Sequence, residues 1–305
     1  PYNSKYNRYP DPHQKELKQA IAQLKNIQPD QLFLGNGSDE AIDLLIRAFC
    51  IPGKDNIVIP QPTYGMYSVS ADTNDVEVKT CLLTTDFDID LDAVQKTWNS
   101  NSKILFLCSP NNPSGNSLST GKIQALLNEF PGIVVVDEAY IDFTGTKGCI
   151  PWLGDFDNLV ILQTLSKAWG LAGIRLGMCI ANPFIISILD KIKPPYNINT
   201  ITQEVAAESI QKKSLKEEWV REIISERVSL ETALKKLKLT QHVYPSDANF
   251  LLVKVKEEKK IYEELVKTGI IVRDRSNVIL CDDCIRITIG TKKENKTLLE
   301  ALEKL

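Results

Sequence analysis

The chain has 305 residues, of which 43% are hydrophobic, enough to build one large domain or two. A net charge of −3 argues against a nucleic-acid surface, which needs a basic patch. No apolar run approaches the roughly 20 residues of a membrane-spanning helix, and no charged-then-apolar leader opens the chain.

The cysteines indicate a reducing, cytoplasmic environment. The chain has seven cysteines, an odd number, and these cysteines lie in apolar contexts. Both observations favour buried free thiols over a disulfide framework. Cys281 and Cys284 have C-x-x-C spacing, but no second pair follows and the chain has only two histidines. We therefore predict no zinc site and no redox role for this pair.

Strand-forming runs alternate with helical patterns from residue 32 onward. The run 32–35 leads into an amphipathic helical pattern with Ser38 as its expected N-cap, and another helix is expected over 119–129. Further β-rich runs are continuous rather than alternating, as expected for strands covered on both faces; they span 56–60, 76–80, 103–108, 133–138 and 159–164. The pattern predicts a doubly wound, largely parallel α/β sheet.

The character of the sequence changes after about residue 182. A long polar amphipathic stretch over 200–238 is predicted to be helical. The remaining pattern predicts a small α+β domain, with strands at 249–255, 270–274 and 285–290 and a helix at 258–268. At the other end, a proline-broken segment precedes a helix near 13–25. We predict a large domain over 28–200, and a small domain formed by 1–27 and 201–305.

Polar residues follow four of the predicted strands. In open α/β sheets, ligands bind outside the carboxyl ends of the strands. After 32–35 comes GNGSDE, a glycine-rich turn onto a helix start, which suits an anion such as phosphate. The other strand ends supply Asn112, Asp137 with Tyr140, and Ser166 with Lys167.

These residue types together match one cofactor, pyridoxal 5′-phosphate (PLP). A partly desolvated lysine such as Lys167 can lose its proton and form a Schiff base with an aldehyde. A carboxylate in the apolar run VVVDEAY, Asp137, must be paired, and a pyridinium nitrogen is one such partner. Arg175 is a permanently charged forked donor suited to a phosphate.

Four motifs then resemble those of a known family. In chain order, SPNNPSG, VVVDEAY, TLSKAWGLAGIRLG and IRITIG are similar to the motifs of class I/II PLP-dependent aminotransferases. The resemblance covers nearly the whole chain. It implies fold type I, an α/β fold with a mostly parallel central sheet in a large domain and a small α+β domain. Segments 47–71 and 6–13 are similar, more narrowly, to histidinol-phosphate aminotransferases.

The resemblance implies roles at the cofactor. Lys167 would bind PLP covalently and then shuttle a proton, while Asp137 would pair with the ring nitrogen. Asn112 and Tyr140 would donate to the ring oxygen, and Tyr64 would stack on the ring. The phosphate would be surrounded by Gly37, Ser38, Asp39 (through its backbone), Ser166 and Arg175, with Tyr9 reaching in from the partner subunit of a homodimer.

The resemblance also implies a substrate and a reaction. Arg286, in IRITIG, matches the arginine that other members use for a substrate carboxylate. Here it would bind the phosphate of the substrate and the carboxylate of glutamate, with Arg273 as its partner on the phosphate. The implied reaction is ping-pong transfer of an amino group between L-histidinol phosphate and 2-oxoglutarate, in histidine biosynthesis.

The chain departs from the family pattern at its start. It begins with Pro1-Tyr2, whereas the family has a longer N-terminal segment with an acidic-Asn-Pro-Tyr stretch that helps to cover the substrate. Pro1-Tyr2 corresponds to the end of that stretch.

Four alternatives stay open at the level of sequence. An aromatic aminotransferase or a phosphothreonine decarboxylase would use the same lysine, acid and phosphate cradle. A nicotinamide-dependent oxidoreductase is disfavoured, because Glu40 stands at the third glycine position of its motif and Asp55 lies in a turn. A non-catalytic binding module on this fold would not need Lys167.

Overall fold

The structure, a computed structural model, describes residues 4–305. Pro1 and Tyr2, expected to end an N-terminal family stretch, lie outside the described residues. Within the described range, the cysteine thiols are free, and all are buried except the half-buried Cys81. No helix of that range is long and apolar enough to cross a membrane.

The larger of the two sheets in residues 4–305 has seven strands. Its strands are β1 (Leu32–Asn36), β2 (Asn56–Gln61), β3 (Glu77–Leu82), β4 (Ser102–Cys108), β5 (Ile133–Asp137), β6 (Leu159–Thr164) and β7 (Leu176–Ala181). Their spatial order is β1-β7-β6-β5-β4-β2-β3. Strand β7 is antiparallel to both neighbours, and the other pairings are parallel.

Helices cover both faces of this sheet, and each face has its own apolar cluster. The helices are α1 (Lys15–Lys25), α2 (Gly37–Phe49), α3 (Met66–Thr73), α4 (Leu91–Thr97), α5 (Thr120–Glu129), α6 (Pro183–Ile192) and α7 (Thr200–Ile210). Leu17 and Ile21 of α1 pack in one cluster, and Leu44 and Leu45 of α2 in the other. Central strands buried on both sides explain the continuous apolar runs.

The second sheet is smaller and antiparallel. It contains β8 (Thr240–Val243), β9 (Phe250–Val255), β10 (Arg273–Asp274) and β11 (Cys284–Thr288), in the order β10-β11-β9-β8. Three helices accompany it: α8 (Lys213–Leu234), α9 (Glu258–Lys267) and α10 (Lys292–Leu302). Their apolar faces and the sheet share a third core cluster. The proposed division into domains at residues 28, 200 and 201 stays a prediction.

The structure corrects several sequence expectations. Helix α2 begins at Gly37 after Asn36, so Ser38 lies in its first turn and is not the N-cap. The stretch 200–238 forms two helices, α7 and α8, rather than one. Strand β7 was not among the predicted strands; its six residues follow directly after Arg175. Edge strand β3 is half-exposed, unlike the continuous buried strands expected.

Candidate active site

Five strands deliver their carboxyl ends to one edge of the larger sheet. Strands β2, β4, β5 and β6 run parallel, and β1 shares their direction because β7 is antiparallel to both β1 and β6. The residues that follow these strands line one cleft, which contains Gly37, Ser38, Asp39, Tyr64, Cys108, Asn112, Asp137, Ala139, Tyr140, Thr164, Ser166, Lys167, Ala172 and Arg175. The convergence predicted from the sequence is therefore present.

The start of α2 forms one wall of the cleft. Strand β7 passes so close to it that a Cβ on Gly177 would lie 2.2 Å from the backbone nitrogen of Ser38. Gly37 has φ +73° and donates its N–H to the carbonyl of Arg175 at 2.8 Å. The N–H groups of Ser38 and Asp39, in the first turn, have no partner within the helix. These two backbone donors, rather than three, are therefore available to an anion.

Arg175 adds a cation to this wall. It has a left-handed backbone (φ 55°), and its guanidinium lies 3.3 Å from a carboxylate oxygen of Asp39. The other oxygen of that carboxylate accepts from the hydroxyl of Tyr64 at 3.0 Å. The Asp39 carboxylate thus contacts both the guanidinium of Arg175 and the hydroxyl of Tyr64.

Asp137 is a buried carboxylate, with 3% of its surface exposed. It receives the backbone N–H of Ala139 at 3.1 Å and the hydroxyl of Tyr67 at 2.8 Å. Burial raises the pKa of Asp137 to about 6, while the hydrogen bond from Tyr67 acts in the opposite direction. The site therefore holds an acid that needs a positive partner in order to stay ionised.

Lys167 lies in the same cleft and is partly desolvated. Burial lowers the pKa of its amine, and the positive charge of Arg286 lowers it further. Its Nζ lies 5.3 Å from the centre of the Tyr140 ring. A neutral amine is the nucleophilic form of lysine, so this environment suits attack on an aldehyde.

A hydrogen bond connects the two sheets at the mouth of the cleft. Nη1 of Arg286, on β11, donates to Oδ1 of Asn112 at 2.5 Å. The guanidinium also lies over the ring of Phe250, 4.7 Å from its centre. Because Asn112 uses its oxygen for Arg286, its amide N–H groups remain as donors toward the cleft.

Three predicted site residues lie outside the lining of the cleft: Arg286, which is bonded to Asn112 of the lining, and two residues that lie farther out. Arg273, on β10, is the cross-strand partner of Arg286 and is exposed. Tyr9 is 81% exposed and stacks on Tyr196, with ring centres 4.4 Å apart. The structure brings the other predicted cofactor residues together, and it leaves these two at the periphery.

Sequence reasoning missed five residues at the cleft. Tyr67 contacts Asp137, and Cys108, Ala139, Thr164 and Ala172 line the cavity. The Thr164 hydroxyl accepts the backbone N–H of Ser166 at 3.0 Å and so shapes the loop before the lysine. Three of these five lie at a strand end or directly after one, a signal that the sequence contained. Ala172, in the turn before β7, and Tyr67, on α3, carry no such signal.

The donor set fits PLP. A buried carboxylate, a desolvated amine, amide donors and a helix start with an adjacent arginine face one cavity. Arg175 lies so close to Gly37 that a Cβ at position 37 would be 2.7 Å from a guanidinium nitrogen. The space for an anion at the helix start therefore depends on residue 37 being glycine. These features define a PLP-type site.

Comparison with known proteins supports this class. The family model described as aminotransferase class I and II matches residues 2–302. A histidinol-phosphate aminotransferase from Cytophaga hutchinsonii is 54% identical over 97% of this chain and 85% of its own length. The chain therefore belongs to the class I and II aminotransferase family, whose members work with PLP.

Solved structures show the same fold. The histidinol-phosphate aminotransferase of Clostridium acetobutylicum has 27% identity and a TM-score of 0.91, with 99% of this chain and 91% of that chain covered. The Sinorhizobium meliloti enzyme of the same name, crystallised with PLP, has 23% identity and a TM-score of 0.89 over 99% and 83% of the two chains. These matches confirm the expected fold type I architecture.

Proposed function

We propose that this protein is a PLP-dependent aminotransferase that moves an amino group between L-histidinol phosphate and 2-oxoglutarate. The observation that carries the chemistry is the convergence of Lys167, Asp137 and the Arg175 wall in one cleft. The substrate is supported by the 54% identical relative of that name. The reaction belongs to histidine biosynthesis, and we further propose that the enzyme acts in the cytoplasm.

The cofactor would be held at several points by this chain. The N–H groups of Ser38 and Asp39, the hydroxyl of Ser166 and the guanidinium of Arg175 would bind its phosphate, with Gly37 leaving the space. Asp137 would pair with the ring nitrogen. The remaining contacts would come from Asn112 and Tyr140 on the ring oxygen and Tyr64 on the ring face.

When bound, PLP supplies an electron sink for the carbon that loses its proton. Lys167 does the protein's part of this chemistry. Its amine would hold the cofactor and, once free, would carry a proton between the reacting carbon of the substrate and the cofactor. Burial beside Arg286 favours the neutral amine that this task requires.

The substrate's anionic end would bind to the arginines of the second sheet. Arg286 is half-buried beside Asn112 and offers a fork that matches phosphate and carboxylate geometry. Arg273 would add a second positive charge on the phosphate. Anchoring this end fixes the orientation of the bond that breaks at the other end.

One spectroscopic experiment tests the substrate. The purified protein, loaded with PLP, is mixed with L-histidinol phosphate in the absence of any keto acid, and the visible absorption is followed. We expect the long-wavelength band of the lysine-bound cofactor to be replaced by the shorter-wavelength band of pyridoxamine phosphate. 2-Oxoglutarate, the amino acceptor of the proposed reaction, should regenerate the first band, and so should imidazole acetol phosphate.

The other outcomes point to named alternatives. A band that moves with aromatic amino acids but not with histidinol phosphate would contradict the substrate and leave the transaminase chemistry intact. Release of carbon dioxide from phosphothreonine would indicate a decarboxylase. Failure to acquire any band after incubation with PLP would contradict the site itself.

We also propose a homodimer in which Tyr9 reaches the phosphate in the partner's site. Support comes from its position: an exposed ring, stacked on Tyr196 and outside its own cleft. Exposed aromatic surface of this kind is typical of an interface.

Mixed dimers test this arrangement. We expect Lys167→Ala chains alone to be inactive and Tyr9→Ala chains alone to be weakened at limiting PLP. If Tyr9 acts in trans, mixing them creates dimers with one site that holds both native residues, and we expect activity to return. Action within one chain predicts no recovery, and a monomer with full activity in sedimentation would also contradict the proposal.

A further inference from the structure

Tyr67, on α3, lies beneath the cofactor cleft and is completely buried. Its hydroxyl donates to Oδ2 of Asp137 at 2.8 Å. Among residues 4–305, this is the only side-chain hydrogen bond that Asp137 receives; its other oxygen accepts the backbone N–H of Ala139. The hydroxyl of Tyr67 is therefore the side-chain donor to one of the two carboxylate oxygens of Asp137.

The ring of Tyr67 has little freedom to move. It stacks on Phe106 of β4, with ring centres 4.6 Å apart and an angle of 13° between the rings. Its edge meets Tyr64, with centres 5.6 Å apart and rings at 84°. Because the ring is clamped in this way, the position of its hydroxyl is set by the sheet rather than by the ligand.

Cys108 is the other polar side chain beside this contact. It is the register partner of Asp137 on the adjacent strand, and it lies close to the Tyr67 hydroxyl. Its thiol donates to the carbonyl of Pro110 at 3.4 Å, so it does not compete for the carboxylate. Burial and the charge of Asp137 raise the pKa of this thiol, which keeps it neutral.

We propose that Tyr67 is a positioning residue for the cofactor, whose hydroxyl keeps Asp137 ionised and aimed at the ring nitrogen of PLP. The proposal rests on the proposed function only in taking PLP as the cofactor. A hydrogen bond to the charged form of an acid favours ionisation. Without this hydrogen bond, the proton between the buried Asp137 and the ring nitrogen of PLP would stay on the carboxyl group, and the ring nitrogen would be unprotonated.

The other groups around Asp137 do not replace this donor. The negative charge of Asp39 acts against ionisation, and the positive charge of Lys167 acts for it, but the amine of Lys167 is committed to the cofactor. Tyr64, Tyr140 and Cys108 face the same region as neutral groups, each with its pKa raised by burial. Tyr67 is thus the group whose removal changes the carboxylate most directly.

The test uses Tyr67→Phe in the holoenzyme loaded with PLP labelled with ¹⁵N at the ring nitrogen. Phenylalanine keeps the stacked ring and removes the hydroxyl alone. We expect the ¹⁵N resonance near neutral pH to move toward the unprotonated position. PLP affinity, measured by equilibrium dialysis, should fall on the order of tenfold, the effect of losing a hydrogen bond to a charged group. Tyr244→Phe, a half-buried tyrosine outside the cleft, should change neither quantity.

A second variant separates positioning from packing. In an Asp137→Asn background the carboxylate is absent, so adding Tyr67→Phe should change PLP affinity by less than about twofold if the phenol acts through Asp137. An equal loss in both backgrounds would assign Tyr67 to packing and overturn the proposal, as would an unmoved ¹⁵N resonance. Neither readout uses histidinol phosphate, so failure here is distinct from failure of the proposed substrate.

Discussion

The two ends of the cleft differ in how their charges are neutralised. At the cofactor end, Arg175 lies 3.3 Å from a carboxylate oxygen of Asp39, and buried Asp137 accepts two hydrogen bonds. At the substrate end, Arg273 and Arg286 are cross-strand partners on β10 and β11. Neither of these two arginines forms an ion pair with a carboxylate anywhere in residues 4–305.

Like charges directly opposite each other on two strands are destabilising. A pair of arginines without a carboxylate therefore indicates a site that an anionic ligand completes. The cofactor end is organised by the protein's own groups, whereas the substrate end leaves positive charge for the ligand. This contrast matches a permanent cofactor at one end and an exchanging phosphate or carboxylate at the other.

The largest effect is expected from replacing Lys167, the reactive residue of the cofactor end. Lys167→Ala removes both the amine that holds PLP and the base that moves the proton. We expect turnover of histidinol phosphate to fall by at least about 10³-fold, within the range of general acid–base catalysis. Rapid-quench assays of the purified variant measure this, and circular dichroism checks the fold.

Lys147→Ala provides a matched control, because Lys147 is an exposed lysine in a loop of the same sheet. Its turnover should equal that of the unaltered protein. A Lys167→Ala variant that retains a large part of its activity would place the reactive amine elsewhere.

Much of the cofactor end could be predicted from the sequence. The carboxyl ends of neighbouring parallel strands lie side by side, so Asp137 at the end of β5 and Lys167 after β6 were expected to lie close together. The glycine-rich turn before α2 indicated an anion site for the same reason. Local pattern and one topological rule were sufficient here.

The remainder depends on packing between distant segments. Tyr67 sits on α3, and its contact with Asp137 spans 70 positions of sequence without a motif. The bond from Arg286 to Asn112 requires the second sheet to be placed against the first. Strand β7 is apolar, but only its antiparallel partners make it a strand. Tertiary contacts of this kind leave no periodic trace in a single sequence.

A smaller effect is expected at the substrate end, and it separates the two arginines there. Arg286→Gln should raise KM for histidinol phosphate by about 100-fold, because it truncates a half-buried charge that meets an anion. The exposed Arg273→Gln should raise KM by only about threefold, as for a solvent-exposed ion pair. Steady-state kinetics, with PLP affinity measured in parallel, would show both effects.

PLP affinity should stay within about twofold in both variants if the contrast between the two ends is correct. Arg286→Lys keeps the charge but loses the fork, so its KM should lie between that of the unaltered protein and that of Arg286→Gln. A large loss of PLP affinity in Arg273→Gln would contradict the separation of the two ends.

The smallest effect concerns the stability of the cofactor-free protein. Asp137 has a folded-state pKa of about 6 against an ordinary value of 3.8, because it is buried. The folded state binds this proton more tightly, so the stability that the group contributes is fully present below about pH 3.8 and is lost as the pH rises through about 6. From about pH 4.5 to about pH 7.5 this amounts to about 2 kcal/mol of the free energy of unfolding. Asp137→Asn should remove that slope in urea titrations.

Asp88 offers a control of opposite sign. Burial opposes its ionisation, but hydrogen bonds from Ser119 and the ammonium of Lys122 lower its pKa to about 2. Its contribution is present above its ordinary pKa and is lost only as the pH falls toward 2, so Asp88→Asn should leave the slope between about pH 4.5 and about pH 7.5 unchanged. If Asp137→Asn also leaves the slope unchanged, then burial does not raise the pKa of Asp137 in the folded protein, and the description of the cofactor end as a buried acid organised by the protein's own groups would be wrong.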